Sequence, residues 1–346
     1  MNRNAKSRFL AAALALSLGA SLGGCSSQGA SSYAQAEAAF ERHHYRTARI
    51  HLANLIAEGA ADAETHLLYA RLMLEMGDGI SAQSAILRVP DKELDGAARS
   101  EMMAHAHILQ GDPDQAAALM EQIDAGSLSE QGVRMLVWAH WDLDTLEDNA
   151  DILAAGLKKY PKSAHLHAFA GDLAIAQGNW SLASEHAAQA MAADPKNFEG
   201  LLLNGRVAIF NSDLKAARGH YAAASAAYPD HALPIANMAG LDLDMGNAKS
   251  AAKVLKAGMG KHPHFPFMLF QKARLDYKNG DFAEARLALE EAKPSYQNYA
   301  PLGLLSAKVE EKLGNRATAL RELDRVNAID PGNAEARALA AKLSGA

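Results

Sequence analysis

Residues 194–229 read DPKNFEGLLLNGRVAIFNSDLKAARGHYAAASAAYP, and the way this stretch repeats decides the fold. Its two prolines, Pro195 and Pro229, stand 34 residues apart, and the same interval leads back to Tyr160-Pro161 and forward to His262-Pro263. Asp330-Pro331 falls two further periods on. Midway between successive prolines lies a turn of small polar residues, at Gly178-Asn179, Asn211-Ser212-Asp213, Gly246-Asn247 and Gly280-Asp281. An alanine follows each turn at Ala183, Ala217, Ala251 and Ala285. Self-similarity at one fixed period is the signature of a repeat architecture.

Within one period, apolar residues recur at helical spacing on both sides of the turn: Leu201, Leu202, Gly205, Ala208 and Ile209, then Ala217, Tyr221, Ala224 and Ala227. Each unit therefore predicts helix, turn, helix, stop. Gly or Asn at the midpoint is expected to supply the left-handed conformation that ends the first helix, and proline ends the second. Small residues at the crossing, Gly171 with Ala183 and Gly205 with Ala217, are expected to let the two backbones approach closely.

This pattern resembles the tetratricopeptide repeat, which carries a small residue at the eighth position of a 34-residue unit, alanine near the twentieth and twenty-seventh, and proline at the thirty-second. The resemblance implies an all-α, right-handed α-solenoid of about nine helix-turn-helix units over residues 33–333, with a capping helix and tail over 334–346. In the same register, units begin near Gly29, Ala63, Ala97 and Gln131, then at Ala164, Phe198, Ala232, Pro266 and Ala300. The fourth is one residue short. Asp142-Leu143-Asp144 replaces its glycine turn and Pro294 comes three residues early in the eighth unit, so a local distortion is predicted at each.

Residues 1–24 lie outside the array. Arg3, Lys6 and Arg8 precede an apolar run from Phe9 to Leu18 that is too short to span a membrane, and Leu22-Gly23-Gly24-Cys25 closes it. The segment resembles a bacterial lipoprotein signal peptide, which implies cleavage after Gly24 and lipidation of Cys25, the single cysteine of the chain. Ser26 after it resembles lipoproteins sent on to the outer membrane, so an anchor facing the periplasm is expected. Residues 25–32 then form the lipidated cysteine and a short polar tether. With one cysteine, no internal disulfide can form.

Without the leader, 31 basic residues face 40 acidic ones. A net negative chain with no basic stripe is a poor match for nucleic acid. The fourteen histidines do not form metal-ligand spacings: His105 and His107, like His165 and His167, lie two apart on predicted helices, where side chains diverge. There is no phosphate loop and no nucleophile elbow, and Asp242 with Asp244, or Glu290 with Glu291, reads as a solvated helix face. Neither a metal, a cofactor nor an enzymatic activity is expected. Trp138, Trp141 and Trp180 read as packing residues.

The resemblance also implies that the first helix of each unit lines a concave groove with its fifth and ninth positions. Those positions include Tyr33, Glu37, Arg71, Glu101, His105, Asp172, Arg206, Phe270, Arg274 and Lys308. Arg206, Phe270, Arg274 and Lys308 suit an extended acidic peptide or a chain-end carboxylate. The carboxylate clamp of chaperone-binding members is not matched, since Ala168 and Leu202 occupy clamp-like positions. The expected function is a lipid-anchored scaffold that brings protein partners together in envelope assembly, such as pilus, secretion or exopolysaccharide export machinery. The alternative is a regulator that binds peptidoglycan enzymes or cell-wall polymer.

Overall fold

The computed structural model describes residues 32–345, apart from 125, 143–145 and 297. Cys25, the leader and the tether through residue 31 lie outside the described residues, as does the centre of the Asp142-Leu143-Asp144 turn. Among the described residues there are nineteen α-helices and no strand, and no helix is long and apolar enough to cross a membrane.

The helices follow one another as hairpins. They are α1 (Tyr33–Glu41) with α2 (Tyr45–Ala57), α3 (Ala63–Glu75) with α4 (Gly79–Ile86), α5 (Gly96–Leu109) with α6 (Pro113–Glu121), and α7 (Glu130–Asp142) with α8 (Leu146–Lys159). The evenly phased part continues with α9 (Ala164–Ala176) and α10 (Trp180–Ala193), α11 (Phe198–Phe210) and α12 (Leu214–Ala227), and α13 (Ala232–Asp244) and α14 (Ala248–Lys261). Then come α15 (Pro266–Asn279) with α16 (Phe282–Ala292), α17 (Ala300–Lys312) with α18 (Arg316–Ile329), and a last helix, α19 (Ala334–Ser344).

Local chemistry explains the boundaries. Ser163, Asn179, Asn197 and Asp213 cap the helices that follow them, each side chain accepting from a backbone N–H three residues on, as Asn197 does from Gly200 at 2.8 Å. Gly178, Gly246 and Gly280 take φ of +75°, +78° and +88° at the midpoint turns. The sixth unit departs from expectation, because Ser212 (φ +62°) adopts the left-handed conformation and Asn211 does not. At Pro294, α16 stops at Ala292 and a single 3₁₀ turn, Lys293–Ser295, takes its place, since a proline ring cannot continue the α-helical ladder.

The close approaches involve other partners than the alanines. A Cβ on Gly205 would lie 2.5 Å from the ring of Tyr221, which is 2% exposed, and one on Gly171 would collide with Leu203 of the following unit. Ala183 and Ala217 are themselves fully buried beside them. Asp242, expected on a solvated face, is 1% exposed and receives Arg218 Nε at 2.7 Å and Nη2 at 3.0 Å, with Ser250 Oγ at 2.7 Å.

The core is a succession of local clusters, as a solenoid requires. Ala232, Ala236, Leu243, Ala251, Leu255 and Met268 join α13 to α15, and the final helix buries Ala336 against Ala307, Leu323 and Val326. A longer-range contact breaks this nearest-neighbour rule. The start of α2 meets the loop after α12 and the end of α14: Arg46 N donates to Asp230 Oδ2 at 3.0 Å, and its guanidinium reaches the Lys261 carbonyl. The His43 ring lies 4.0 Å from that of Tyr228, with His43 itself at φ +56°. The superhelix thus closes on itself across its inner face.

Candidate binding groove

First helices supply the inner surface. On α7 Trp138 and Trp141 stand beside Phe169, Asp172, Ile175 and Ala176 of α9 and Arg206 of α11, around a cavity of about 420 Å³. Trp138, Asp172 and Arg206 occupy equivalent places in successive units, so the repeat itself aligns them across three helices. Arg206 ion-pairs with Asp172 at the cavity edge. Burial pushes the Asp172 carboxyl above its ordinary range, and the guanidinium offsets part of that effect. The result is an aromatic pocket with one hydrogen-bonding, charged side.

Trp138 also borders a second cavity, of about 440 Å³, between the inner helices and the closing turn. Its walls include Phe40, Tyr45, Phe198 and Tyr228, with Glu41, Glu75, His105, Arg134, His165, Glu199 and His231 set among them. Arg134 Nη2 lies 3.4 Å and His165 Nδ1 3.1 Å from the Glu199 carboxylate. Burial alone would raise Glu199; the hydrogen bond from His165 and the charge of Arg134 outweigh it and hold the group at about 2. His105 packs its ring 5.5 Å from Trp138, and burial, helped by Arg134, lowers it to about 4.

The residues expected to line the groove divide. His105, Asp172 and Arg206 come together around the shared wall of Trp138. Arg71 is exposed on α3 and lines neither cavity. Glu101 is 6% exposed and braces two units, accepting from Ser129 N at 3.2 Å and Oγ at 2.7 Å. Phe270 is 5% exposed in the core beside Leu269, Leu302 and Leu305, so its ring is not a groove contact. Arg274 binds Asp244 at 2.5 Å, and Lys308 binds Glu335 at 2.6 Å. Each of these two cations already has a carboxylate.

Sequence reasoning missed Trp138, Trp141, Phe169, Arg134, Glu75 and Glu199. A signal existed for two of them: α7 begins at Glu130, one period before Ala164, which puts Arg134 and Trp138 at the fifth and ninth positions. Trp180, by contrast, stacks on Phe210 at 4.1 Å, a packing contact as expected. Among the described residues no group of three His, Cys, Asp or Glu side chains is placed to hold a metal ion.

No protein-family model matches the chain, and no curated protein matches it. Solved structures do. Pseudomonas aeruginosa PilF superposes with a TM-score of 0.50 at 20% identity, covering 62% of this chain and 97% of PilF. PilW, described as a widely conserved type IV pilus biogenesis factor, gives 0.50 at 18% identity over 61% of this chain and 97% of its own. A tetratricopeptide repeat protein from Parabacteroides merdae gives 0.52 at 14% identity over 82% of this chain and 99% of its own.

The fold is that of a tetratricopeptide-repeat solenoid. In this solenoid the first helices face inward and the second helices outward, and both cavities described above lie on the inward side.

Proposed function

We propose that this tetratricopeptide-repeat chain is a lipid-anchored scaffold of the cell envelope, which holds a protein partner in its concave groove during assembly of pilus, secretion or exopolysaccharide-export machinery. The observation that carries the reading is the pocket of Trp138, Trp141 and Phe169 beside the Asp172–Arg206 pair. Its volume falls in the ~300–1,000 Å³ range of binding clefts, and it combines an apolar wall with a few fixed polar groups, which suits one anchoring side chain and the backbone around it. Cys25 at the end of an export-type leader supports the anchor, and the shared fold with PilW supports the assembly context.

Affinity purification from solubilised envelopes tests it. Pilus or secretion components are expected to accompany the full chain, to be lost with Trp141→Ala and Arg206→Glu at unchanged helical content, and to be kept by Cys25→Ala, which leaves the membrane fraction. Recovery unaltered by both groove variants would sink the groove reading. Recovery of peptidoglycan synthases or hydrolases instead would move the scaffold to the cell wall.

A further inference from the structure

The cavity beside Trp138 differs from the rest of the groove in having a further wall, supplied by the first unit. The turn from His43 to Arg46 is pinned to the opposite side of the superhelix by the Arg46 N–Asp230 bond of 3.0 Å and the contact of His43 on Tyr228, so the first unit forms a wall facing the inner helices. Tyr45 of α2, Trp138 of α7 and Tyr228 after α12 are among its lining residues. Aromatic faces carry negative potential, and a ring-lined site with a carboxylate beside it suits an organic cation.

The fixed charges point the same way. Glu41, Glu75 and Glu199 stand against one permanent cation, Arg134. The guanidinium of Arg134 is already engaged by Gln131 Oε1 at 2.8 Å and by Glu199 at 3.4 Å. Glu75 has no such counterpart: among the described residues its carboxylate receives only the Tyr45 hydroxyl, at 3.4 Å. Glu75 is solvent-exposed at the cavity wall with protein around it, and burial pushes its carboxyl above the ordinary range while the charge of Arg134 offsets part of that effect. Burial also lowers His43, His105 and His231, so these neighbours are neutral at pH 7 and supply no counter-charge. An acidic group entering the cavity would meet Glu75 and Glu199 head on.

From the added wall, the rings and the carboxylate without an ion pair, we propose that this chamber receives the ammonium or guanidinium head of a lysine or arginine on the partner segment, with Glu75 as its counter-ion and Tyr45, Trp138 and Tyr228 beside its stem. The proposal rests on the groove reading above and reverses the sign expected from Arg206, Arg274 and Lys308. The cationic ends of the groove are closed by neighbouring carboxylates; the vacancy in charge is at Glu75.

Calorimetric titration of the full chain with three capped pentapeptides, Gly-Xaa-Gly-Xaa-Gly with Xaa as lysine, norleucine or glutamate, tests it at constant ionic strength. The lysine peptide is expected to bind at least tenfold more tightly than the other two, and Glu75→Gln to remove that preference. Glu121→Gln, the same loss of charge on an exposed site of α6, should leave it intact. Equal binding of the lysine and glutamate peptides, no binding of the lysine peptide, or an unchanged preference in Glu75→Gln would overturn the proposal. If free 1,4-diaminobutane binds as tightly as the lysine peptide, the assignment to a protein segment fails. A chain that still recovers envelope partners through Trp141 and Arg206 while ignoring the lysine peptide keeps its scaffold function and loses only the cation site.

Discussion

In the seventh to ninth units and the terminal helix, Arg274, Lys308 and Lys342 each reach a carboxylate of an adjacent unit, Asp244, Glu335 and Glu311, at 2.5–2.6 Å, whereas in the N-terminal half Glu75 faces a chamber whose one permanent cation, Arg134, is paired with Glu199. The difference follows from geometry. A fixed repeat places equivalent positions side by side on neighbouring helices, so a charged residue near the ninth position is within reach of the next unit before any ligand arrives. Where the stacking is regular, opposite charges in successive units satisfy one another. Where the first unit crosses the superhelix to meet the sixth, that pairing is interrupted, and an unmatched charge faces the interior.

The sharpest test of the paired half is its buried member. Asp242 is 1% exposed and depends on Arg218 and Ser250. Arg218→Ala leaves a buried carboxylate with a single hydroxyl partner, and removing one side of such a pair costs about 2–4 kcal/mol, at the lower end because Arg218 is itself one-third exposed and water can follow. Urea denaturation should show this as a drop in midpoint with an unchanged slope. A loss below about 1 kcal/mol would mean that pairing between units contributes little here and that the contrast with Glu75 has no energetic content.

The chamber half is tested by pH. His105 is held near 4 by burial, against about 6.5 when unfolded. Its folded state favours the neutral ring, so the contribution is fully present above pH 6.5 and is lost as pH falls towards 4. Between pH 7 and pH 5 the chain should lose about 2 kcal/mol through this residue alone. Arg134 and Glu199 face it and act in opposite directions. His105→Phe keeps the ring against Trp138 and removes the proton, so its stability should fall less than that of the parent over the same window. Parallel curves for the two proteins would show that the chamber is wetter than its geometry implies.

The fold was legible because its determinants are local. Proline phasing, glycine turns and buried alanines act within one unit, and Ala183, Ala217, Ala251 and Ala285 are all fully buried. The groove was legible only where the register was right. A fourth unit started at Gln131 puts Met135 and Ala139 at the fifth and ninth positions, and both are 0% exposed; one residue earlier, the same rule finds Arg134 and Trp138. At Phe270 the register was right and the rule failed, because a large apolar ring at the fifth position gains more from the core than from the groove. The contact of Arg46 with Asp230 left no trace in the pattern, since it depends on the summed curvature of the intervening units and not on any spacing between the two residues.

The smallest expected effect is also the one that can break the comparison from the other side. The Arg274–Asp244 and Lys308–Glu335 pairs are partly solvated, with carboxylate side chains 47% and 62% exposed, so Arg274→Ala and Lys308→Ala should each cost less than ~1 kcal/mol in the same urea titration. Arg274 also donates to Gln271 Oε1 at 2.8 Å, which argues for a value nearer the upper end for that variant. A loss as large as that of Arg218→Ala would place these cations in the structural framework and strengthen the division between a self-paired half and the half that holds Glu75. If stability is unchanged but recovery of the proposed partner falls, Asp244 and Glu335 are resting counter-ions that the partner displaces. The acidic-ligand expectation for the C-terminal groove would then stand beside the lysine site, with one partner segment contacting both halves through charges of opposite sign.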